Sequence, residues 1–150
     1  MQKNLTIILI FLLYSCGGDE PTRSSQIIDY YSEDNQFLEE LSISNGKSVE
    51  YFSDFIENIL FDSSGYKSYR IKKMYLDDKG LDSLPASITN LDSLTILILK
   101  NNNLQYITES ICDVYGQLDS LDIDNNKICT PTIPECIERN TTSTKFYGNQ

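Results

Sequence analysis

The chain contains no histidine. That absence removes Ser-His-Asp and Cys-His nucleophilic sites and every metal site built on imidazole. Basic residues are scarce: 12 Lys and Arg stand against 22 Asp and Glu, for a formal net charge of −10. A phosphate backbone needs a cationic footprint, so nucleic acid is not an expected partner. The excess acid instead keeps an exposed protein soluble and repels other anionic surfaces. Long apolar runs are scarce as well. The run Leu5–Leu13 has no later counterpart, and it is too short to span a bilayer, which takes about 20 residues. A chain of 150 residues has room for one small domain.

What is present begins with a leader. Lys3 supplies a positive start, and Leu5–Leu13 has the length of a signal-peptide apolar region. It runs into Leu13-Tyr14-Ser15-Cys16. This segment resembles the lipobox of bacterial lipoproteins, with Leu13 three residues before the cysteine and small Ser15 directly before it; Tyr14 is the departure. The resemblance implies that residues 1–15 are a signal peptide, that lipid is added to Cys16, and that the chain is exported and anchored to the cell envelope. Each buried CH₂ of such an anchor contributes about 0.8 kcal/mol. Gly17 does not resemble the Asp that retains some lipoproteins at the inner membrane, and Asp19 and Glu20 resemble surface-export signals. The expected location is therefore the outer membrane, facing either the periplasm or the cell surface. Residues 16–26 form the lipidated cysteine and a flexible polar tether. An exported chain meets oxidising conditions, so a disulfide is expected among Cys112, Cys129 and Cys136, leaving one thiol over.

Three segments share one apolar rhythm: Ile71-Lys72-Lys73-Met74-Tyr75-Leu76, Leu94-Thr95-Ile96-Leu97-Ile98-Leu99 and Leu118-Asp119-Ser120-Leu121-Asp122-Ile123, offset by 23 and 24 residues. After the first comes Leu81-Asp82-Ser83-Leu84-Pro85-Ala86-Ser87-Ile88-Thr89-Asn90-Leu91. After the second, Leu104, Ile107, Ile111 and Val114 take the matching places. Ile133-Pro134 and Ile137 restore the pattern in the third after a two-residue insertion. A period of 20–29 residues headed by L-x-x-L-x-L resembles the leucine-rich repeat family. The resemblance covers roughly residues 70–138. It implies an α/β fold, a short solenoid of about three repeats over residues 71–137, with parallel strands on its concave side.

Such a stack needs covered ends. Residues 27–70 do not match the repeat and are read as a helical N-terminal cap. Phe37, Leu38 and Leu41 share a helical face after Glu33 and Asp34. Asn45-Gly46 breaks the pattern. Val49, Phe52, Ile56, Ile59 and Leu60 make a second helical stripe, predicting a helix over 48–60 with Ser48 as its N-cap. Residues 138–150 form a C-terminal cap or tail, in which Thr144–Tyr147 could add an edge strand. Cys129 and Cys136, flanking a Pro-bearing turn, resemble the C-terminal cap of extracellular repeat proteins, which implies a Cys129–Cys136 bridge; a Cys112–Cys136 bridge, stapling repeat two to repeat three, is the alternative.

In this family an asparagine after each strand turns inward and hydrogen-bonds the backbone of adjoining turns. Asn102 and Asn126 occupy that place, while repeat one has Lys79. By period-two alternation, Lys73, Tyr75, Asp77, Ile96, Ile98, Lys100, Ser120, Asp122 and Asp124 line the concave face. An apolar centre of Tyr75, Ile96 and Ile98 within a charged rim suits a protein or peptide partner. The segment Asp122-Ile123-Asp124-Asn125-Asn126 opens like a calcium loop, but Lys127 and Ile133 stand where that loop needs Gly and Glu. Acids are plentiful, yet none is singled out as the facing pair a glycosidase requires. The expectation is non-catalytic recognition at the envelope, with no cofactor and no metal. The alternatives are a structural spacer and, further off, a carboxylate-based hydrolase.

Overall fold

The computed structural model describes residues 30–63, 66–129 and 132–138. The leader, Cys16, the tether and residues 139–150, with the strand expected at Thr144–Tyr147, lie outside the described residues.

Helix α1, Ser32–Asn45, buries Phe37, Leu38 and Leu41 on one face, as the spacing predicts. It stops where Gly46 takes a left-handed φ of 62° and its N–H bonds the carbonyl of Ser42. That conformation costs a glycine little and any side chain more.

The second helix is a correction. It is a single turn, α2, Val49–Ser53, with the Ser48 hydroxyl accepting from the Tyr51 N–H at 3.3 Å. The chain then becomes strand β1, Ile56–Ser63, paired antiparallel with β2, Tyr66–Tyr75. Of the expected stripe, Phe52 is buried, while Ile59 and Leu60 are exposed. The β-branched and apolar residues of β1 suit a pleated ribbon, and pairing with β2 overrode a helical spacing that no second surface was there to bury. The segment before the parallel strands is thus a helix, a helical turn and a hairpin, not two helices.

Strand β2 then pairs in parallel with β3, Ile96–Ile98, and β3 with β4, Ser120–Asp122, so the sheet order follows the chain. Met74, Leu97 and Leu121 stand side by side in this register, all fully buried. Ile71 is buried too, three residues before Met74. Strict alternation cannot put both on one face. The β1–β2 register solves this by passing over Lys72: Glu57 lies opposite Lys73, and Asn58 opposite Ile71. The Lys72 carbonyl instead accepts the Thr95 N–H at 2.8 Å, and the Thr95 carbonyl accepts the Asp119 N–H at 2.7 Å.

From each strand the chain turns back along the buried side. A 3₁₀ helix, Ala86–Asn90, serves repeat one, and α3, Ile111–Tyr115, serves repeat two. Helix α4, Glu135–Glu138, packs against α3. Leu76, Leu81, Ile88, Leu91, Leu94, Leu99, Leu104, Ile111, Leu118 and Ile137 fill one core between these turns and the sheet. The strand exits repeat in detail: Asp78, Asn101 and Asn125 have positive φ of 59°, 56° and 51°. Asn and Asp tolerate that region better than other side-chain-bearing residues.

Candidate recognition face

The buried leucines of β2, β3 and β4 leave the intervening side chains on the other face of the sheet. Lys73, Ile96 and Ser120 form one registered row, and Tyr75, Ile98 and Asp122 the next. All six are half-buried. Beyond the strand ends, the Lys100 carbonyl accepts the Asp78 N–H at 3.0 Å and the Asp124 carbonyl accepts the Asn101 N–H at 2.9 Å. Asp77, Lys100 and Asp124, each just before a left-handed residue, extend the face as a third row.

The hairpin widens this face from three strands to four. Glu57 stands beside Lys73 and pairs with it at 2.8 Å. The hydrogen bond from Lys73 holds the Glu57 carboxyl below its usual range and raises the lysine in turn. The Phe55 carbonyl accepts the Tyr75 N–H at 2.9 Å, and the Lys79 ammonium sits 3.9 Å from the Phe55 ring centre. Glu57 and Phe55 were missing from the expected face because their segment reads as helix. The signal that could have found them is the Ser64-Gly65 dipeptide between two apolar runs, a common turn mark.

The face is held in place by asparagines beneath the strand exits. Asn102 is buried. Its side-chain oxygen accepts the N–H groups of Lys79 and Leu81 at 3.1 and 2.9 Å, and its amide donates to the carbonyls of Leu76 and Leu99 at 2.7 Å each. Asn126 repeats this one turn on, accepting from the Leu104 N–H at 3.1 Å and donating to Leu99 and Ile123. Each amide thereby satisfies buried backbone groups that no strand partner reaches.

Two further amides extend the scaffold. Asn45, at the end of α1, accepts from the N–H groups of Asp82 and Ser83 and donates to the Ser83 carbonyl, tying α1 to repeat one. At the exposed exits, Asn125 donates to the Asn101 side-chain oxygen at 2.9 Å.

The disulfide joins Cys112 in α3 to Cys136 in α4, with Cα atoms 5.6 Å apart. The Cys129–Cys136 pairing implied by the capping resemblance is therefore corrected, and Cys129 is exposed and unbridged. The physical reason is the packing of α3 on α4: each cysteine follows or precedes a buried isoleucine, Ile111 or Ile137, and burying both brings the thiols together.

Among the described residues no three His, Cys, Asp or Glu side chains are grouped to hold a metal ion. Asp34 is fully buried, and its carboxyl is pushed above the usual value by burial, which outweighs the Ile71 N–H and Arg70 beside it. It sits under α1, away from the sheet rows.

No known protein-family profile matches the chain, and no curated protein does either. Among solved structures, the chain is similar to the leucine-rich repeat ectodomain of the receptor kinase SOBIR1 from Arabidopsis thaliana, with a TM-score of 0.57 and 22% identity. The match covers 66% of this chain and 56% of that one, so this chain spans little more than half of that structure. The likeness establishes the fold: a mixed α/β unit with a mostly parallel sheet, of the leucine-rich repeat kind.

Proposed function

We propose that this chain is a non-catalytic recognition module of a bacterial cell envelope, a short capped leucine-rich repeat solenoid that holds a protein or peptide against the open face of its sheet. The observation that carries this reading is the pair Ile96 and Ile98. Both are half-buried at the centre of the sheet face, Ile96 between Lys73 and Ser120 and Ile98 between Tyr75 and Asp122, where a solvated sheet would carry polar residues. Adjacent apolar side chains with a charged rim favour a macromolecular contact.

The test is affinity capture from envelope extracts with the full chain and with Ile96→Asp/Ile98→Asp. The double variant loses the captured partner while its circular dichroism and melting are unchanged. Capture that survives both substitutions overturns the face assignment.

The envelope location rests on Lys3, Leu5–Leu13 and the Leu13–Cys16 segment. Lipid on Cys16 would tether the domain to the outer membrane, displayed outward through the polar linker. Metabolic labelling with a radioactive fatty acid tests it: label enters the wild type and is absent from Cys16→Ala. Protease shaving of intact cells then reports the leaflet.

A further inference from the structure

We infer that the partner segment is cationic: an extended peptide with an apolar residue at one position and a Lys or Arg two residues on. This rests on the reading of the sheet face as the recognition surface and adds the chemistry of what it holds.

The argument is one of charge and register. Within β2 the one cation of the face, Lys73, is already taken by Glu57 at 2.8 Å. Lys79, at the exit of the same repeat, is seated over the Phe55 ring. On β4 the face carries Asp122, and the row beyond the strand ends runs Asp77, Lys100 and Asp124, with Asp77 on the β2 side. The Asp122 carboxylate therefore stands directly beside the apolar pair. Ile98 lies opposite Asp122 in the parallel register, so the two belong to adjacent strands. Adjacent strands are about 4.8 Å apart.

The Asp122 carboxylate is also fixed in direction. Its Oδ1 accepts the Asp124 N–H at 3.0 Å, which closes the strand exit and leaves the second oxygen for another donor. An extended segment presents residues i and i+2 on one side, about 6.6–6.8 Å apart. Such a segment crossing the strands sets an apolar residue on Ile96 and Ile98, and the flexible stem of a Lys or Arg covers the remaining offset to Asp122. An anionic segment would meet the Asp122 carboxylate beside Ile98 and a chain of formal net charge −10, a like-charge approach that slows encounter and costs affinity.

The experiment uses the full chain and three fluorescein-labelled probes that set Leu and Lys two residues apart: Ser-Leu-Ser-Lys-Ser-Leu-Ser-Lys and its Glu and Gln counterparts. Binding is read by anisotropy at low and at physiological salt. The Lys probe binds, the Glu probe does not, and the Gln probe is weaker than the Lys probe. Asp122→Lys weakens the Lys probe by about fivefold or more, whereas Glu39→Lys, on the exposed side of α1, leaves it unchanged. Equal binding of the probes, no binding of any, or equal loss in Asp122→Lys and Glu39→Lys overturns the cationic assignment. If envelope capture still depends on Ile96 and Ile98 in that case, the face reading stands without it. If capture is indifferent to those isoleucines, the face reading itself has failed.

Discussion

The carboxylate of Asp34 and the guanidinium of Arg70 meet at 2.8 Å with both side chains almost wholly buried. The pair joins α1 to the long strand β2 and is secured on both sides. Asp34 accepts the Ile71 N–H at 2.6 Å, while Arg70 donates to the Asn90 carbonyl at 3.1 Å and lies against the Tyr31 ring. Three separate stretches of chain are thus linked at the point where the hairpin leaves the repeat sheet.

Removing one partner strands the other. Arg70→Met is expected to destabilise the fold by about 3 kcal/mol at neutral pH. Asp34→Leu combined with Arg70→Met recovers most of that loss, because neither charge is then left buried. Urea titrations of wild type, both single variants and the double variant form the cycle. A double variant as unstable as the sum of the singles would refute it.

The same carboxyl sets a pH dependence. Asp34 has its folded value raised, chiefly by burial. The folded state therefore holds this proton more tightly than the unfolded chain. Its contribution to stability is fully present below the ordinary aspartate range and is lost as pH rises through the folded value. The stability difference between wild type and Asp34→Asn should shift in favour of wild type on acidification. Melting temperatures at steps from pH 3 to pH 7 check it, and a difference moving the other way contradicts the burial argument.

Asn102 carries more than its exposed repeat partners. Asn102→Ala leaves the Leu81 N–H and the Leu76 carbonyl without their bonds in the core. At about 1–3 kcal/mol for each unsatisfied buried group, the loss is about 3 kcal/mol. Asn126→Ala, in a half-buried place, costs about half as much. Asn101→Ala breaks an exposed side-chain bond and should also cost less than Asn102→Ala. Chemical denaturation of the three variants ranks them.

The disulfide closes the span from Cys112 to Cys136, a separation of 24 residues. Cross-linking a loop of that size stabilises by about 3 kcal/mol through the unfolded state. Cys112→Ser and Cys136→Ser should each lose that amount, and Cys129→Ser should change stability by less than about 0.5 kcal/mol. Non-reducing peptide mapping should recover the Cys112 and Cys136 peptides as one linked species. Recovery of a Cys129–Cys136 peptide would refute the assigned pairing.

Much of the repeat region was readable because its signals are local and redundant. Leu94, Leu97, Leu99 and Leu104 recur at the offsets of Ile71, Met74, Leu76 and Leu81, and all eight are buried. Asn102 and Asn126 were singled out by the resemblance to the leucine-rich repeat family, whereas the neighbouring Asn101 and Asn125 stay exposed. The hairpin was not readable in the same way. Phe52, Ile56, Ile59 and Leu60 fit a helical stripe, and nothing within that window records that β2 lies ready to pair with it. Asn45 was read as a break, although it bonds Ser83, 38 residues away. Glu57 joined the face for the same nonlocal reason.

By itself the sequence determined the period, the inward leucines and the residues that share a sheet face. These follow from spacing, because a fixed apolar period leaves one way for neighbouring turns to bury each other. Tertiary structure alone decided which thiols meet, where β1 runs, and how Asp34 and Arg70 are buried together. Those outcomes depend on contacts between distant segments, and the choice between a helix and a strand, or between two cysteines, is settled by the surface each segment finds to pack against.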